Sequence, residues 1–201
     1  MAEEIEQKVS KKKLKVINLL GAPGSGKTTT MNELFSLLKR DGHVVENAPE
    51  FAKELVWAHR LDELQNQLFV TGTQLNRLWI LKDKVDIVIT DSPVILGIQY
   101  APVWLDKESF KDILMNSTDQ FDNKWFFINR VREYDPKGRT QTEEESNKIR
   151  EDLIKLINDL DIYPEFLDGK DGSGAIIRSY LEKDNWIPKL QNYGKPVKSY
   201  N

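Results

Sequence analysis

The chain of 201 residues contains no cysteine and only two histidines, His43 and His59. The first absence excludes a disulfide framework, thiol catalysis and cysteine-ligated metal. The second excludes a metal centre built from several histidines, and each histidine is expected to be an ordinary packing or surface residue. No apolar run approaches the ~18 residues that a membrane helix needs. The opening segment MAEEIEQKVSKKK is charged and has no apolar core, so it does not read as a signal peptide. Nor is there an excess of positive charge: charged residues make up 30% of the chain and the net charge is −3. The total therefore implies no strongly basic nucleic-acid face, although a local patch stays open. Together these absences point to a cytoplasmic protein with no membrane partner. A chain of this length suits one domain with a core of useful size, and it shows no internal repeat or low-complexity segment.

What is present is concentrated in residues 15–30, KVINLLGAPGSGKTTT. This reads as a buried strand, a glycine-rich turn and the start of a helix. Gly21, Ala22, Pro23, Gly24, Ser25, Gly26, Lys27 and Thr28 match G-x-x-x-x-G-K-[ST] at every fixed position, the P-loop pattern. Glycines let the backbone approach a phosphate without a Cβ in the way. The turn's N–H groups and the helix N-terminus then face the anion, with Thr29 continuing that first turn. Lys27 supplies positive charge to the terminal phosphates and Thr28 offers a hydroxyl to Mg2+. At ordinary composition the fixed positions match by chance in roughly one chain of this length in a hundred. The flanks tighten this. Val16, Ile17, Leu19 and Leu20 precede the loop, and Met31, Leu34, Phe35, Leu37 and Leu38 follow at helical spacing.

Further along, strands are expected at residues 43–45, 86–90, 124–129 and 163–167. Helices are expected from Phe51, then, after a break and restart at residues 61–63, to about Leu81 with Leu64, Leu68, Leu75, Leu78 and Leu81 on one face, over 110–115, from Thr142 to Leu160, and over 175–183. Residues 94–105 read as loop or broken helix. Thr142 with Glu145 forms a capping box. Strands alternating with helices predict a three-layer α/β fold with a five-stranded parallel sheet. Residues 1–13 read as a loose leader, 14–184 as the folded domain and 185–201 as an irregular tail. Ligands in such sheets bind beyond the carboxyl ends of the strands. That marks the P-loop, residues 46–50, Asp91 and the loop after the fourth strand.

Each of these positions has a chemical reading. Asp91, at the end of an apolar strand, is the expected partner of Mg2+ beside Thr28. Ser92 follows it where ATPase motors usually carry glutamate, and no Asn-Lys-x-Asp guanine signature is present. The loop after the fourth strand holds Arg130, Arg132, Lys137 and Arg139, an arginine-bearing lid able to close over a transferred phosphoryl group. Arg139 is favoured, joined by Arg130 or Arg132. Glu50, and secondarily Glu46, is placed to accept a proton from an attacking hydroxyl or to hold a sugar. Trp57, Phe69, Gln74, Arg77 and Tyr100 are candidates to line the acceptor pocket, with Gln74 reading a ring edge.

The stretches GAPGSGKTTT, PEFAKELVW, VITDSP and the KGR-containing lid resemble the P-loop nucleoside and nucleotide kinases. Within them the chain is similar to the nicotinamide-riboside kinase domain of bacterial NAD-salvage proteins. Glu50-Phe51 matches a glutamate–aromatic pair after the second strand, Asp91 an aspartate ending the third, and Gly138-Arg139 loosely matches the lid. Residues 15–183 also resemble tailed-phage proteins labelled ATPase or AAA-like, notably over residues 135–142, DPKGRTQT. The resemblance implies a kinase fold with ATP and Mg2+ as cofactors, an acceptor of nucleoside or nucleotide type, and, for a phage protein, residence in the host cytoplasm. Two further readings stand beside it. One is phosphorylation of a hydroxymethylated base within DNA. The other is a nucleotide-binding ATPase or regulatory module with no acceptor.

Overall fold

The computed structural model describes residues 13–137 and 140–188. Five strands, β1 (Lys15–Leu20), β2 (Val45–Ala48), β3 (Ile87–Thr90), β4 (Asp122–Asn129) and β5 (Glu165–Asp168), form one sheet in the order β2-β3-β1-β4-β5. All its pairings are parallel, with Val16 opposite Val88 on one side and Asn123 on the other. Side chains alternate between faces along a strand, so each strand feeds two cores. Ile17, Leu19, Ile89, Phe126 and Ile128 pack against Met31, Leu34 and Leu38 of α1 (Lys27–Arg40) and Ile177 and Leu181 of α8 (Ser173–Lys183). Val16 and Val88 face the other way, onto Leu78 of α4 (Gln67–Trp79) and Phe110 and Leu114 of α6 (Lys107–Thr118). Leu20 and Phe127 cover Leu153 and Ile157 of α7 (Glu143–Asp159). Every residue of β3 is buried, as a strand covered on both faces must be. The result is the expected three-layer α/β architecture.

Two expectations are corrected. The break read at residues 61–63 falls instead at residues 65–66: α3 is the single turn Leu61–Leu64, and α4 begins at Gln67 after Asn66, whose side chain accepts from Phe69 N–H. Its buried residues are Gln67, Val70, Thr71, Gln74 and Leu78; of the leucine stripe, Leu78 is buried and Leu75 and Leu81 pack against the core, whereas Leu68 is 50% exposed. The second strand lies two residues later than the predicted 43–45, because His43 N–H is used to cap α1 at Leu38. The stretch 94–105 contains one short helix, α5 (Leu96–Gln99), and α2 spans Phe51–Trp57. The capping box at Thr142 and Glu145 is formed, with both hydrogen bonds present.

Of the leader 1–13, only Lys13 is among the described residues. Of the tail, residues 185–188 are described: Ile187 is buried in the α1–α8 core, and Trp186 Nε1 donates to Asp122 Oδ1 at 3.1 Å. Among the described residues, no helix is long and apolar enough to cross a membrane.

Candidate active site

The five strands end along one edge of the sheet, and the loops there enclose a cavity of about 610 Å³. Its floor is the P-loop. Gly21, at φ +141°, shows why the first glycine is needed: a Cβ there would lie 2.5 Å from Ile128 O and 2.7 Å from Ser25 Oγ. The loop is braced from two sides. Ser146 Oγ of α7 donates to Pro23 O at 2.8 Å. On the opposite flank, Gly169 packs so closely that a Cβ on it would stand 1.9 Å from Ser25 O. Lys27 Nζ donates to Gly21 O at 2.7 Å and Ala22 O at 3.0 Å, which holds the ammonium over the loop's own mouth. Gly21, Pro23, Gly24, Ser25, Gly26, Lys27, Thr28 and Thr29 all line the cavity; Ala22 is buried beneath.

Thr28 Oγ1 donates to Asp91 Oδ2 at 2.5 Å, and Glu50 N–H donates to Asp91 Oδ1 at 3.1 Å. Asp91 is 3% exposed and has no cationic partner among the described residues. A buried carboxylate served only by neutral donors fits a hard cation, since buried charge needs a counter-charge. No group of three or more His, Cys, Asp or Glu able to hold a metal occurs among the described residues. Mg2+ in general keeps several waters and is bound through one or two carboxylates plus substrate phosphates, with no all-protein cage.

The far wall carries Glu50, Lys53, Gln67, Thr71, Gln74 and Tyr100. Tyr100 is 41% exposed as a residue, yet its phenol is pushed up to about 12, chiefly by burial and then by the Glu50 charge. It is therefore a neutral hydroxyl beside an acidic group throughout the ordinary pH range. Gln74 lines the wall but is not free to read a ring edge. Its Oε1 accepts from Phe51 N–H at 3.0 Å, and its Nε2 donates to Ala48 O at 3.2 Å and Thr90 Oγ1 at 3.3 Å. It is a strut that joins the ends of β2 and β3 to the start of α2.

The remaining candidates scatter. Glu46 pairs with Lys39 at 2.9 Å, outside the cavity. Trp57 and Phe69 are exposed and do not line it, and Arg77 is held by Pro49 O and Glu54. Arg130 Nη2 donates to Glu143 Oε1 at 2.9 Å and Asn147 Oδ1 at 2.6 Å, which ties the lid's first residue to α7. Arg132 pairs with Asp171 at 2.6 Å and lines a small second pocket beside Ser25 and Lys170. Arg139 lies outside the described residues. Among the described residues of the lid, Lys137, Thr140 and Gln141 reach the main cavity. Lys53, Gln67, Thr71 and Gly169 were not singled out by the sequence; only the glycine-rich turn at 168–174 signalled the last of them.

This site on this sheet defines a P-loop protein with the fold of the P-loop kinases. The family described as AAA domain (AAA_28) matches residues 16–170, and the chain belongs to it. Among solved structures, the chain is similar to the NadR protein in complex with NR: TM-score 0.66, 17% identity, over 90% of this chain and 54% of that one. It thus spans about half the length of NadR. It is also similar to shikimate kinase from Acinetobacter baumannii in complex with shikimate: TM-score 0.54, 16% identity, over 92% of this chain and 97% of that one. Thymidylate kinase from Candida albicans matches with TM-score 0.54 and 13% identity, over 86% and 93% of the two chains. At these identities the likeness is one of fold. No curated protein sequence matches the chain.

Proposed function

We propose that this protein is an ATP- and Mg2+-dependent phosphotransferase acting on a nucleoside, a nucleotide or a related small acceptor. One observation carries the reading. The P-loop and a second wall bearing Glu50 and Tyr100 open onto the same cavity, with Thr140 and Gln141 of the lid also lining it. A nucleotide switch needs the first wall and not the second. The kinase fold of the similar structures and Ser92 after Asp91, in place of a water-orienting glutamate, support the same choice.

In the transfer, the acceptor hydroxyl oxygen attacks the γ-phosphorus. The bond from that phosphorus to the β–γ bridging oxygen breaks, and ADP leaves with the electron pair. Glu50 accepts the hydroxyl proton. Lys27 and the loop amides hold the phosphates. Thr28 and Asp91 would hold Mg2+, which would neutralise phosphate charge. Lys137, lining the cavity, and Arg139 stabilise charge on the transferred group, which passes through a loose transition state. Arg130 anchors the lid to α7, and Arg132 is held by Asp171 beside the small second pocket.

The test is transfer of ³²P from γ-labelled ATP to nucleosides, nucleotides, nicotinamide riboside, shikimate and hydroxymethylated DNA, with Lys27→Ala as blank. Label on a small acceptor, lost in the variant, supports the proposal. Label on DNA alone replaces the acceptor class, and free phosphate alone returns the protein to the regulatory ATPase reading.

A further inference from the structure

Three of the five buried residues of α4 are polar. Gln67, Thr71 and Gln74, at positions i, i+4 and i+7, share one face of the helix, and they are 7%, 4% and 4% exposed. Buried polar groups are costly unless they are hydrogen-bonded. Gln74 is fully satisfied within the protein. The other two are not. Gln67 uses its Nε2 on Leu64 O at 2.8 Å, and among the described residues neither its Oε1 nor Thr71 Oγ1 has a partner. Both residues line the cavity.

The opposing backbone preserves this opening. Gly97 of α5 also lines the cavity, and a Cβ there would come within 2.4 Å of Thr71 Oγ1. Its φ is not in the left-handed region, so the glycine answers to space and not to backbone conformation. The acceptor wall thus presents one unpartnered acceptor, one unpartnered hydroxyl and the neutral phenol of Tyr100, with the single carboxylate of Glu50. No arginine is among the described lining residues, and Lys53 sits exposed on the rim. A buried phosphate dianion needs cations packed around it; this wall supplies neutral hydrogen-bonding groups.

We infer that Gln67 and Thr71 are specificity-determining residues that read an uncharged, hydroxyl-bearing acceptor, and that the site rejects acceptors already carrying a phosphate. This rests on the phosphotransferase reading and deepens it. A site whose buried groups are left unpaired by the wrong ligand discriminates strongly against that ligand.

The test compares ³²P transfer from ATP to a set of ribonucleosides, deoxyribonucleosides and free pentoses with transfer to the 5′-monophosphates of the same nucleosides. Binding of ATP is followed in parallel. The expected result is label on an uncharged compound, with its KM raised about tenfold or more in Gln67→Leu and in Thr71→Val, the KM for ATP unchanged within twofold, and near-normal values restored by Thr71→Ser. The serine variant keeps the test decisive if a bulkier change impairs folding. Label on monophosphates alone overturns the inference and leaves the phosphotransferase reading intact. An uncharged acceptor whose KM ignores both substitutions overturns the role of α4. ATP binding lost in Lys27→Ala, with no compound labelled in the wild type, overturns both readings.

Discussion

The backbone N–H of Glu50 donates to Oδ1 of Asp91 at 3.1 Å, while Oδ2 of the same carboxylate takes the Thr28 hydroxyl at 2.5 Å. The two sides of the cavity are therefore joined through one buried carboxylate. The backbone contact fixes Glu50 at the start of α2, where the residue lines the cavity. Glu50→Gln keeps the backbone bond and removes the base. Its kcat should fall by about 10²-fold to 10⁴-fold, the range of general-base catalysis, while ATP affinity measured by titration calorimetry stays within threefold. Loss of affinity instead would move Glu50 to the donor side.

Gly169 supports the P-loop from outside it. Gly169→Ala drives a methyl group into Ser25 O, 1.9 Å from the ideal Cβ position. Backbone cannot yield as a flexible side chain can, and overpacking of this kind costs about 1–3 kcal/mol. Thermal unfolding should show that loss, and ATP affinity should drop by an order of magnitude or more. A variant with wild-type affinity would show that the loop tolerates displacement.

Gln74 meets three backbone or hydroxyl partners, and Gln74→Leu leaves Phe51 N–H buried without an acceptor. An unsatisfied buried group costs about 1–3 kcal/mol, which urea unfolding should read as a lower midpoint. Because α2 carries the contact between Glu50 and Asp91, kcat should fall together with stability. Stability lost with full kcat would limit Gln74 to folding.

His43 gives a pH dependence of stability. It is buried, and burial lowers its pKa below 6.5, the charges of Asp41, Asp86 and Glu182 opposing and that of Arg178 assisting. The unfolded chain therefore takes up a proton at a pH where the folded chain does not. Stability is fully present above about 6.5 and declines as pH falls through that value toward the folded pKa. Urea midpoints at pH 7.5 and 5.5 should differ in that sense, and His43→Gln should shrink the difference. An equal difference in the variant would assign the effect to carboxylates.

The sequence made the sheet and the phosphate-binding loop legible because both follow local rules. Ile87 to Ile89 is a continuous apolar run that only a doubly covered strand can use, and the spacing from Gly21 to Thr28 leaves little freedom. The acceptor wall was hidden for the opposite reason. A helix is oriented from its hydrophobic period, and that criterion put Leu68 inside; the first half of α4 instead turns Gln67 and Thr71 toward the cavity, while Leu75 and Leu78 further along pack on the core. Lid cations were equally undecided. Arg130 and Arg132 lie two residues apart, and their directions are set by Glu143, Asn147 and Asp171, partners 13 to 39 residues along the chain. Trp186 and Ile187 carry no periodicity, yet they close the core beside β4 and α8.

The lid is fastened at both ends to one helix: Arg130 is held by Glu143 and Asn147, and the capping box at Thr142 starts that same helix. Tyr134 OH also donates to Gln141 O at 2.7 Å, closing the loop upon itself. Such a loop is a cassette. The entropic cost of closing a flexible loop grows slowly, by about 0.6 kcal/mol for each doubling of its length, so segments of different length and charge can be exchanged between the two fixings without refolding the sheet. Related chains could thereby diversify in what they enclose while the phosphate-binding floor stays constant. For engineering, residues 131–141 are the stretch to shuffle first.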